Sequence, residues 1–454
     1  MASGLIGQVV YVDIDAVGNN DGTSWANAYT DLSIAIDSSG AGSEIWVAEG
    51  TYIPGGQIPT RGSSFVIEND IRLYGGFNGT EDNLSQRNIL ANRTILSGDI
   101  NGDDIEGDFV NFRSENCRHV VFVAPGVSNG CVIDGFTVSG GHTDGQTAAG
   151  DDRRAGAILM YGAPIIRNCV FTANYGHFAG AVYPRAAAST GAQILNCRFQ
   201  GNLGGFGGAM YVVTNDDIVI RDCIFEENEA DGRGGAVYNS GFSTTFDNCQ
   251  FLNNTAGSSG GVYHNLIDET DFSSVEFRGC AFIGNRGNFG GAISLYGNGT
   301  SLVDSCMFDQ NMADAGGGAL SIGFTNISMI SNSVFSNNEA DRGGAIWQQN
   351  DTTSVTIKNC DFSTNLCFGS NGGAIYQRGS ASLRISDTRF EGNQANFGGA
   401  IFMFEDSVDI STLVVERCFF NFNVAEQQAG GINISNSDVY ISNCLLANGI
   451  VSSG

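Results

Sequence analysis

Two short phrases recur down most of this chain, and the distance between their copies limits the fold more than any other feature. The first is Gly-Gly-Ala followed by an aliphatic residue, as at residues 343–346. The second is Asn-Cys-x-Phe-x-x-Asn, as at residues 359–365. Copies of the second phrase lie 26 to 31 residues apart, the length of one solenoid coil rather than of a propeller blade. The repeat therefore predicts a stack of similar coils.

The second phrase has the alternation of a β-strand. Its Cys and Phe positions are nearly constant, whereas the residue between them changes, for example from Arg198 to Asp361. Alternate residues of a strand point to opposite faces, so the Cys and Phe positions face the interior. The Cys position is filled in turn by Cys169, Cys197, Cys223, Cys249, Cys280, Cys306, Ser333, Cys360, Thr388, Cys418 and Cys444.

The residues around the Cys position predict turns and an asparagine ladder. The residue before it is usually Asn, Asp or Gly, as at Asn359, and these residues tolerate the left-handed backbone of a sharp turn. Another Asn follows five residues after it, as at Asn365, where stacked side chains can hydrogen-bond from coil to coil. The aliphatic residue of the Gly-Gly-Ala phrase supplies a third strand. Three short strands per coil predict an all-β, right-handed parallel β-helix.

The two phrases also carry a family resemblance. Phe-x-x-Asn paired with Gly-Gly-Ala-Ile, repeated from about Ala155 to Leu446, resembles the repeat pair of the polymorphic outer-membrane protein family and of related autotransporter-like passengers. That bacterial family is known for surface-exposed adhesins, so the resemblance implies an adhesive role at the cell surface or outside the cell. Residues 71–77, 96–99 and 134–137 resemble the N-terminal part of pectin-lyase-like right-handed β-helix proteins, which implies a fold and no particular reaction.

The chain divides into an irregular opening and a regular repeat region within one continuous domain. Residues 9–13 alternate like a strand, and residues 26–37 have the apolar face of a short amphipathic helix. Such a helix would cover the first coil and protect its open strand edge. We therefore assign residues 1–150 to a capping helix with irregular first coils and residues 151–454 to regular β-helix repeats.

The charge balance restricts the partners of the chain. The formal net charge is -27, with 48 acidic residues against 21 lysines and arginines. This excess of negative charge excludes a general nucleic-acid binder or a binder of anionic membranes. Residues 1–8 lack a basic start and a long apolar run, so we expect neither a signal peptide nor a transmembrane helix there, and no membrane insertion. The composition suits a secreted protein or one that binds cations.

One residue beyond the aliphatic position lies a column of aromatic residues, which we predict to face outward. An exposed aromatic strip would stack on sugar rings or on another protein chain. The alternative is an aromatic ladder that stabilises its own sheet. The neighbouring column is almost entirely alanine, which suggests close cover by a loop or a partner. The binding candidates are Tyr183, Tyr211, Tyr238, Tyr263, Trp347, Tyr376 and Phe402.

An acidic loop at residues 99–108 is a candidate calcium site. Carboxylate and amide oxygens at nearby positions are the ligands that Ca²⁺ prefers. The glycine of this loop is not where an EF-hand needs it, so that motif is not matched, and the alternative is a solvated acidic loop. The candidate ligands are Asp99, Asn101, Asp103, Asp104 and Asp108.

The cysteines are predicted to be buried free thiols. Neighbours in the stacked column point the same way, which is poor geometry for a disulfide between adjacent coils. Small buried thiols pack like apolar side chains. The bridges to consider are Cys117 with Cys131, and Cys360 with Cys367.

No catalytic motif stands out, so we assign no catalytic residue. Basic and acidic residues that a polysaccharide lyase or a glycoside hydrolase would need are present but scattered. They are Arg153, Arg154, Arg167, Arg185 and Arg221, with Asp134, Asp151, Asp152, Asp216 and Asp217. We interpret the chain as a non-catalytic extracellular structural or adhesive solenoid. Its partner would be a surface glycan or protein, or other copies of itself stacked end to end or laterally into a fibre. A carbohydrate-active enzyme is the alternative.

Overall fold

A computed structural model describes residues 9–145, 150–185, 191–213, 217–241, 243–266, 273–323, 326–349, 353–379, 381–404 and 411–451. The chain groups into two compact units, residues 1–228 and 229–454, which are called unit 1 and unit 2. In each unit the chain winds through four parallel sheets, numbered 1 to 4 in the order in which one coil visits them.

The strands of unit 1 are short, and most have three or four residues. Sheet 1 contains Val9–Val12, Glu44–Ala48, Arg72–Phe77, Val132–Asp134, Ile165–Arg167, Gln193–Leu195 and Ile218–Arg221. Sheet 2 contains Gly50–Tyr52, Thr94–Ser97, Phe136–Ser139, Val170–Thr172, Arg198–Gln200 and Ile224–Glu226. Sheet 3 contains His142–Thr143, Tyr175–Gly176 and Leu203–Gly204. Sheet 4 contains Phe65–Ile67, Val121–Val123, Ile158–Met160, Val182–Pro184 and Met210–Val212.

The strands of unit 2 follow the same four positions with greater regularity. Sheet 1 contains Ser243–Asp247, Ser273–Arg278, Gly299–Asp304, Asn326–Ser331, Ser354–Lys358, Ser382–Ser386, Ser411–Glu416 and Ser437–Ser442. Sheet 2 contains Gln250–Leu252, Ala281–Ile283, Met307–Asp309, Val334–Ser336, Asp361–Ser363, Arg389–Glu391, Phe419–Asn421 and Leu445–Ala447. Sheet 3 contains Glu229–Ala230, Thr255–Ala256, Arg286–Phe289, Met312–Gly316, Glu339–Ala340, Leu366–Cys367, Gln394–Phe397, Val424–Gln428 and Ile450–Val451. Sheet 4 contains Val237–Asn239, Tyr263–Leu266, Ile293–Tyr296, Leu320–Gly323, Ile346–Gln349, Ile375–Arg378, Ile401–Phe404 and Ile432–Ser435.

The predicted all-β parallel solenoid is confirmed, and the structure adds a fourth strand to each coil. Equivalent positions pair in register between coils, as Phe335 does with Phe362. The additional strand belongs to sheet 3 and often has only two residues, as in Glu339–Ala340. It follows the ladder Asn directly and is too short to show the alternation from which the three longer strands were predicted.

The asparagine positions behave as predicted at both turns. Asn359, which precedes the Cys position, has a φ of 54°, the left-handed conformation that Asn tolerates. Inside the solenoid, Asn338 donates from Nδ2 to the Oδ1 atom of Asn365 at 2.9 Å. The same Nδ2 donates to the backbone oxygen of Phe308 at 3.0 Å. The side chains of the buried ladder therefore provide hydrogen-bond partners for backbone groups that would otherwise be buried without one.

Phenylalanine rings and thiols fill the core beside this ladder. Phe308 stacks on Phe335 with ring centroids 4.7 Å apart and planes 2° apart. The cysteines of the column are free, as predicted, and all except Cys444 are buried. Column thiols lie against backbone oxygens, as the Sγ atom of Cys306 does with Phe277 at 3.4 Å.

Neither predicted disulfide is formed. Cys117 and Cys131 are both free and buried, and so are Cys360 and Cys367. The Sγ atom of Cys117 contacts the backbone oxygen of Thr60 at 3.7 Å, and burial raises the pKa of both Cys117 and Cys131 to about 12. Cys360 directly precedes the sheet 2 strand Asp361–Ser363, whereas Cys367 lies in the sheet 3 strand Leu366–Cys367. The number of residues between the two cysteines of a pair does not indicate where in the coil each of them lies.

The first coil is capped, although by a shorter helix than predicted. The α-helix is Leu32–Asp37, and its N-cap residue Asp31 accepts a hydrogen bond from the backbone of Ser33 at 2.8 Å. The 3-10 helices are Trp25–Asn27, Leu84–Gln86 and Asp151–Arg153. Backbone hydrogen bonds from Tyr29 to Tyr11 and from Asp13 to Tyr29, each 2.9 Å, occupy the outer edge of the first strand. This edge is therefore not free to pair with another chain.

Candidate functional site

The predicted aromatic strip of sheet 4 is mostly covered rather than exposed. Tyr183 and Tyr238 are each 6% exposed, Trp347 is 5% and Tyr376 is 8%. Tyr211 and Phe402 are partly exposed. The prediction of an exposed binding column is therefore wrong for most of its members, and a binding role stays a prediction for the partly exposed ones.

Tyr263 belongs to a different column from the one predicted. Its strand partners are Val237 on one side and Ile293 on the other, so it occupies the inward aliphatic position. His264 takes the outward position beside Tyr238. Val262 takes the place of the usual alanine in this coil, so the predicted aromatic column is out by one residue here. Inside the core, the Tyr263 hydroxyl accepts a hydrogen bond from Asn239 at 2.9 Å.

The cover over Trp347 comes from the C-terminal ends of two sheet 3 strands, Arg286–Phe289 and Met312–Gly316. The ring of Trp347 stacks on Phe289 with centroids 5.2 Å apart. It also lies against Gly316, where a Cβ atom would come within 2.6 Å of the indole. Tyr376 and Phe402 stack at 5.3 Å with planes 10° apart. The alternative interpretation, an aromatic ladder within the sheet, describes these residues well.

In unit 1 the same face of sheet 4 carries a cluster of rings, of which Tyr211 and Phe178 are partly exposed and Tyr183 is buried. Tyr183 and Tyr211 stack with centroids 5.3 Å apart and planes 16° apart. Phe178, which precedes the strand Val182–Pro184, meets Tyr211 edge-on at 5.5 Å. These rings pack with Leu159 and neighbouring alanines into a small hydrophobic cluster. The result is an aromatic surface that is only partly covered.

A hydrogen-bonded group of charged residues lies beside these rings and is centred on Tyr161. This tyrosine follows the strand Ile158–Met160, and its hydroxyl donates to the Oδ1 atom of Asp151 at 2.7 Å. The hydroxyl oxygen accepts from Arg154 at 3.0 Å and from Arg185 at 2.8 Å. Arg154 also forms an ion pair with Asp151. The phenol is therefore held between one carboxylate and two guanidinium groups.

Three arginines lie over aromatic rings in this region. Arg154 lies 5.5 Å from the centroid of Tyr183, Arg185 lies 5.4 Å from that of Tyr161, and Arg153 lies 5.3 Å from that of Phe178. We call Asp151, Arg153, Arg154, Tyr161, Phe178, Tyr183, Arg185 and Tyr211 the arginine–tyrosine face. Its three guanidinium groups concentrate positive charge on a chain whose formal net charge is -27.

Tyr161 and Tyr183 of this face remain protonated at neutral pH. Partial burial raises the pKa of Tyr161, and its hydrogen bond to Asp151 acts in the same direction. Burial raises the pKa of Tyr183 to about 12. The phenols can therefore donate hydrogen bonds, but they are poor bases.

Two other charged candidates, Asp134 and Arg167, serve the fold. Asp134 is fully buried and accepts from Arg87 at 2.7 Å, from Arg167 at 2.7 Å and from Asn168 at 2.7 Å. Such a saturated buried carboxylate is a structural connection between coils. Asp216 lies outside the described residues.

The acidic loop brings together only part of the predicted calcium set. Asp99, Asp103 and Glu115 each place one ligand oxygen within 4.8 Å of the others. Hard carboxylate oxygens at this spacing suit Ca²⁺. The carboxylate of Asp99 already accepts backbone hydrogen bonds, including one from Gly102 at 2.7 Å. Asn101 is exposed. Calcium binding stays a prediction.

Two further predicted ligands have other partners. Asp104 lies 3.3 Å from Arg113, and burial raises the pKa of its carboxyl to about 6 despite that arginine. Asp108 accepts from the backbone and the side chain of Asn111, and these bonds lower the pKa of its carboxyl to about 2. Both carboxylates are thus engaged by residues that follow the loop.

Sequence reasoning missed Tyr161, Phe178 and Glu115. Tyr161 and Phe178 lie in connections between strands, where the repeat imposes no column. Glu115 lies 12 residues after Asp103, beyond the acidic run. The one available signal was the pair Arg153 and Arg154 near Tyr161 in an arginine-poor chain.

Comparisons with known proteins agree with this architecture. The family described as "Right handed beta helix region" matches residues 100–272 and 260–446. No curated protein sequence matches the chain. Among the described residues, no helix has the length and apolar content required to cross a membrane.

Three solved structures are similar at low identity. One is the catalytic unit of a GH87 α-1,3-glucanase from Streptomyces thermodiastaticus strain HF3-3, with 10% identity, a TM-score of 0.42, and coverage of 98% of this chain and 69% of that one. The surface adhesin PfbA of Streptococcus pneumoniae has 12% identity, a TM-score of 0.37, and coverage of 96% and 93%. A rhamnogalacturonan lyase has 14% identity, a TM-score of 0.32, and coverage of 96% and 87%. No activity is carried over from these distant similarities. The sheet topology and the family match together show that the chain belongs to the right-handed β-helix family.

Proposed function

We propose that this chain is a non-catalytic extracellular or cell-surface adhesive protein whose arginine–tyrosine face binds a carboxylated saccharide. The observation that carries this proposal is the placement of Arg153, Arg154 and Arg185 over a cluster of aromatic rings, of which Tyr161 and Phe178 are partly exposed. Aromatic faces stack on the apolar side of a sugar ring, and guanidinium groups pair with carboxylates. The surface thus combines the two contacts that an acidic sugar offers.

The geometry leaves cationic capacity for a ligand. Asp151 is shared between Arg154 and, at 3.9 Å, Arg185. The side chain of Arg185 remains 41% exposed. An incoming carboxylate can approach Arg185 without breaking the hydrogen bond between Tyr161 and Asp151.

A second candidate is β-elimination of an acidic polysaccharide, since the same face contains a tyrosine between two arginines. That reaction needs a base to remove the proton beside the carboxylate, and a positive group to stabilise the charge that develops. Tyr161 has a raised pKa and donates its proton to Asp151, so it is poorly prepared to act as that base. This property favours binding over cleavage.

The test is calorimetric titration of the purified chain with a galacturonate hexaose and with the matching neutral galactose hexaose. We expect saturable binding of the acidic hexaose that is at least 10-fold tighter than that of the neutral one. Arg185→Gln should weaken acidic binding about 10-fold or more, since a charge-assisted pair contributes roughly 1.5–3 kcal/mol.

Arg198→Gln is the matched control, because Arg198 lies on sheet 2 of unit 1 and its side chain is also 41% exposed. Equal loss in both variants would show a general charge effect and overturn the assignment of the site. Formation of unsaturated uronate products that disappears in Tyr161→Phe would replace the adhesive function with the lyase function.

A further inference from the structure

We propose that the outer face of sheet 1 in unit 2 is a self-association surface, on which a second copy of this chain packs face to face. The surface, which we call the sheet 1 face, consists of the strands Ser273–Arg278, Gly299–Asp304, Asn326–Ser331, Ser354–Lys358 and Ser382–Ser386. The inference does not rest on the arginine–tyrosine face, because it concerns other residues in the other unit.

Two large apolar side chains are exposed at the centre of the sheet 1 face. Ile327 and Met329 occupy alternate positions of the middle strand, so both point outward, and they are 59% and 47% exposed. Leu302 pairs with Met329 from the preceding strand and is partly exposed. Adjoining exposed apolar side chains with polar residues around them mark interaction surfaces of soluble proteins.

The charge of this face differs from that of the chain as a whole. Its outward side chains include two anions, Glu276 and Asp304, and three cations, Arg278, Lys358 and Arg384. The chain has a formal net charge of -27, so two copies repel one another at long range. Because the sheet 1 face has no excess of negative charge, two copies can approach through it.

The charged and apolar side chains are ordered along two outward columns of the face. From the first strand to the last, one column contains Glu276, Leu302, Met329, Thr356 and Arg384. In the same order, the other column contains Arg278, Asp304, Ser331, Lys358 and Ser386. Both carboxylates therefore lie on one side of the middle strand, and both Lys358 and Arg384 lie on the other.

The two cations beyond the middle strand have charge available for another molecule. Lys358 and Arg384 are exposed, and neither forms a salt bridge with another described residue. Glu276 accepts from Arg278 at 2.8 Å, and one oxygen of Asp304 accepts from Ser331 at 2.6 Å. Since a carboxylate has about four acceptor positions, both carboxylates can also accept from a cation of a second chain.

This order of residues makes the face complementary to itself. A two-fold axis parallel to the middle strand reverses the order of the coils and preserves positions along the strands. Met329 then lies opposite Met329 of the second copy, and Ile327 opposite Ile327. Glu276 lies opposite Arg384 of the second copy, and Asp304 opposite Lys358. A second copy therefore supplies both the apolar contact and the opposite charges.

The size of the face indicates a weak, reversible dimer. Its strands have five or six residues, so they are roughly 20 Å long, and five strands side by side are about 24 Å wide. Two copies would bury about 1,000 Å² in total, which is at the low end for specific interfaces. We expect a Kd on the order of 10–100 μM.

The first experiment is sedimentation equilibrium of the full chain at concentrations up to about 500 μM, in which we expect a monomer–dimer equilibrium. Met329→Asp should weaken the dimer about 10-fold or more, because it places two carboxylates against each other at the centre of the contact. Met307→Asp is the matched control and should leave the Kd unchanged. Met307 is a 41% exposed methionine of the same unit, but it lies on sheet 2.

An exchange of charges tests the pairing of the two copies. Arg384→Glu should weaken the dimer about 10-fold or more, because a carboxylate then opposes Glu276 of the second copy twice in each dimer. Adding Glu276→Arg to this variant should restore most of the affinity, since both contacts again join opposite charges. A sheet that was merely destabilised by the first substitution would not be rescued by the second.

Lys358 permits a direct test of the arrangement, because it is the only lysine of the chain. A carbodiimide joins a carboxylate to an amine without a spacer. In a mixture of isotope-labelled and unlabelled chains, the covalent dimer should contain an amide between Lys358 of one copy and Asp304 of the other. Lys358→Arg keeps the positive charge, so it should preserve the dimer in sedimentation while abolishing this crosslink.

Several outcomes would decide against the sheet 1 face. A chain that stays monomeric up to about 500 μM overturns the proposal. Equal losses in Met329→Asp and Met307→Asp also overturn it, as does a double variant that associates no better than Arg384→Glu alone. Assemblies that grow beyond two copies contradict the two-fold arrangement, because an isologous contact closes at the dimer. If Met329→Asp lowers the melting temperature strongly, the exchange of charges decides the question.

Discussion

At the scale of single residues, His264 is a buried base whose ionisation the fold opposes. It is 2% exposed, neither ring nitrogen has a hydrogen-bond partner among the described residues, and burial lowers its pKa to about 3, with Arg233 acting in the same direction. Since the unfolded histidine titrates near 6.5, the stability that this group contributes is present above pH 6.5 and is lost as the pH falls toward 3. From pH 7 to 5 we expect a loss of about 2 kcal/mol in the free energy of unfolding.

His264→Phe should remove that loss and stabilise the chain at pH 7, because it replaces two unpaired buried nitrogens with an apolar ring. Urea unfolding at pH 7 and pH 5 measures both effects. Tyr238→Phe is the control, since it changes the same column without changing a group that titrates in this range. An identical pH dependence in wild type and His264→Phe would show that the histidine is not the titrating group.

At the scale of one structural element, the asparagine ladder holds the coils in register. The Oδ1 atom of Asn338 accepts from the backbone and the side chain of Asn311 at 3.1 and 3.0 Å, and its Nδ2 donates to Phe308. Asn338→Ala leaves these buried groups without partners. We expect a loss of about 2–4 kcal/mol, because each unsatisfied buried group costs roughly 1–3 kcal/mol.

Chemical denaturation of Asn338→Ala beside Glu339→Ala tests this expectation. Glu339 is the exposed next residue, where a surface change should alter stability by less than about 0.5 kcal/mol. Similar stabilities for the two variants would mean that water replaces the ladder without cost.

At the scale of the whole molecule, negative charge works against the folded state. The formal net charge is -27, and self-repulsion of this size destabilises a compact chain. Adding sodium chloride at pH 7 screens the repulsion, so the melting temperature should rise. At pH 4.2, the sequence pI, the net charge is near zero, so sodium chloride should change the melting temperature little. A melting temperature that is independent of salt at pH 7 would contradict this view.

The sequence by itself determined the coil and its interior. The period, the inward Phe and Cys positions, the turn at Asn359 and the ladder at Asn365 all follow from alternation within a few residues and from the recurrence of the same residues in successive coils. Such short-range patterns persist in the structure because parallel strands in register place equivalent residues on top of one another.

Only the tertiary structure decided what happens outside the sheets. Trp347 is an outward residue, yet it is buried by Phe289 and Gly316, which come from other coils. Tyr161, Asp151 and Arg185 meet although they are separated along the chain, and Glu115 joins Asp99 in the same way. The strand pattern specifies which way a side chain points, but residues from other coils and from the connections between strands determine what covers it.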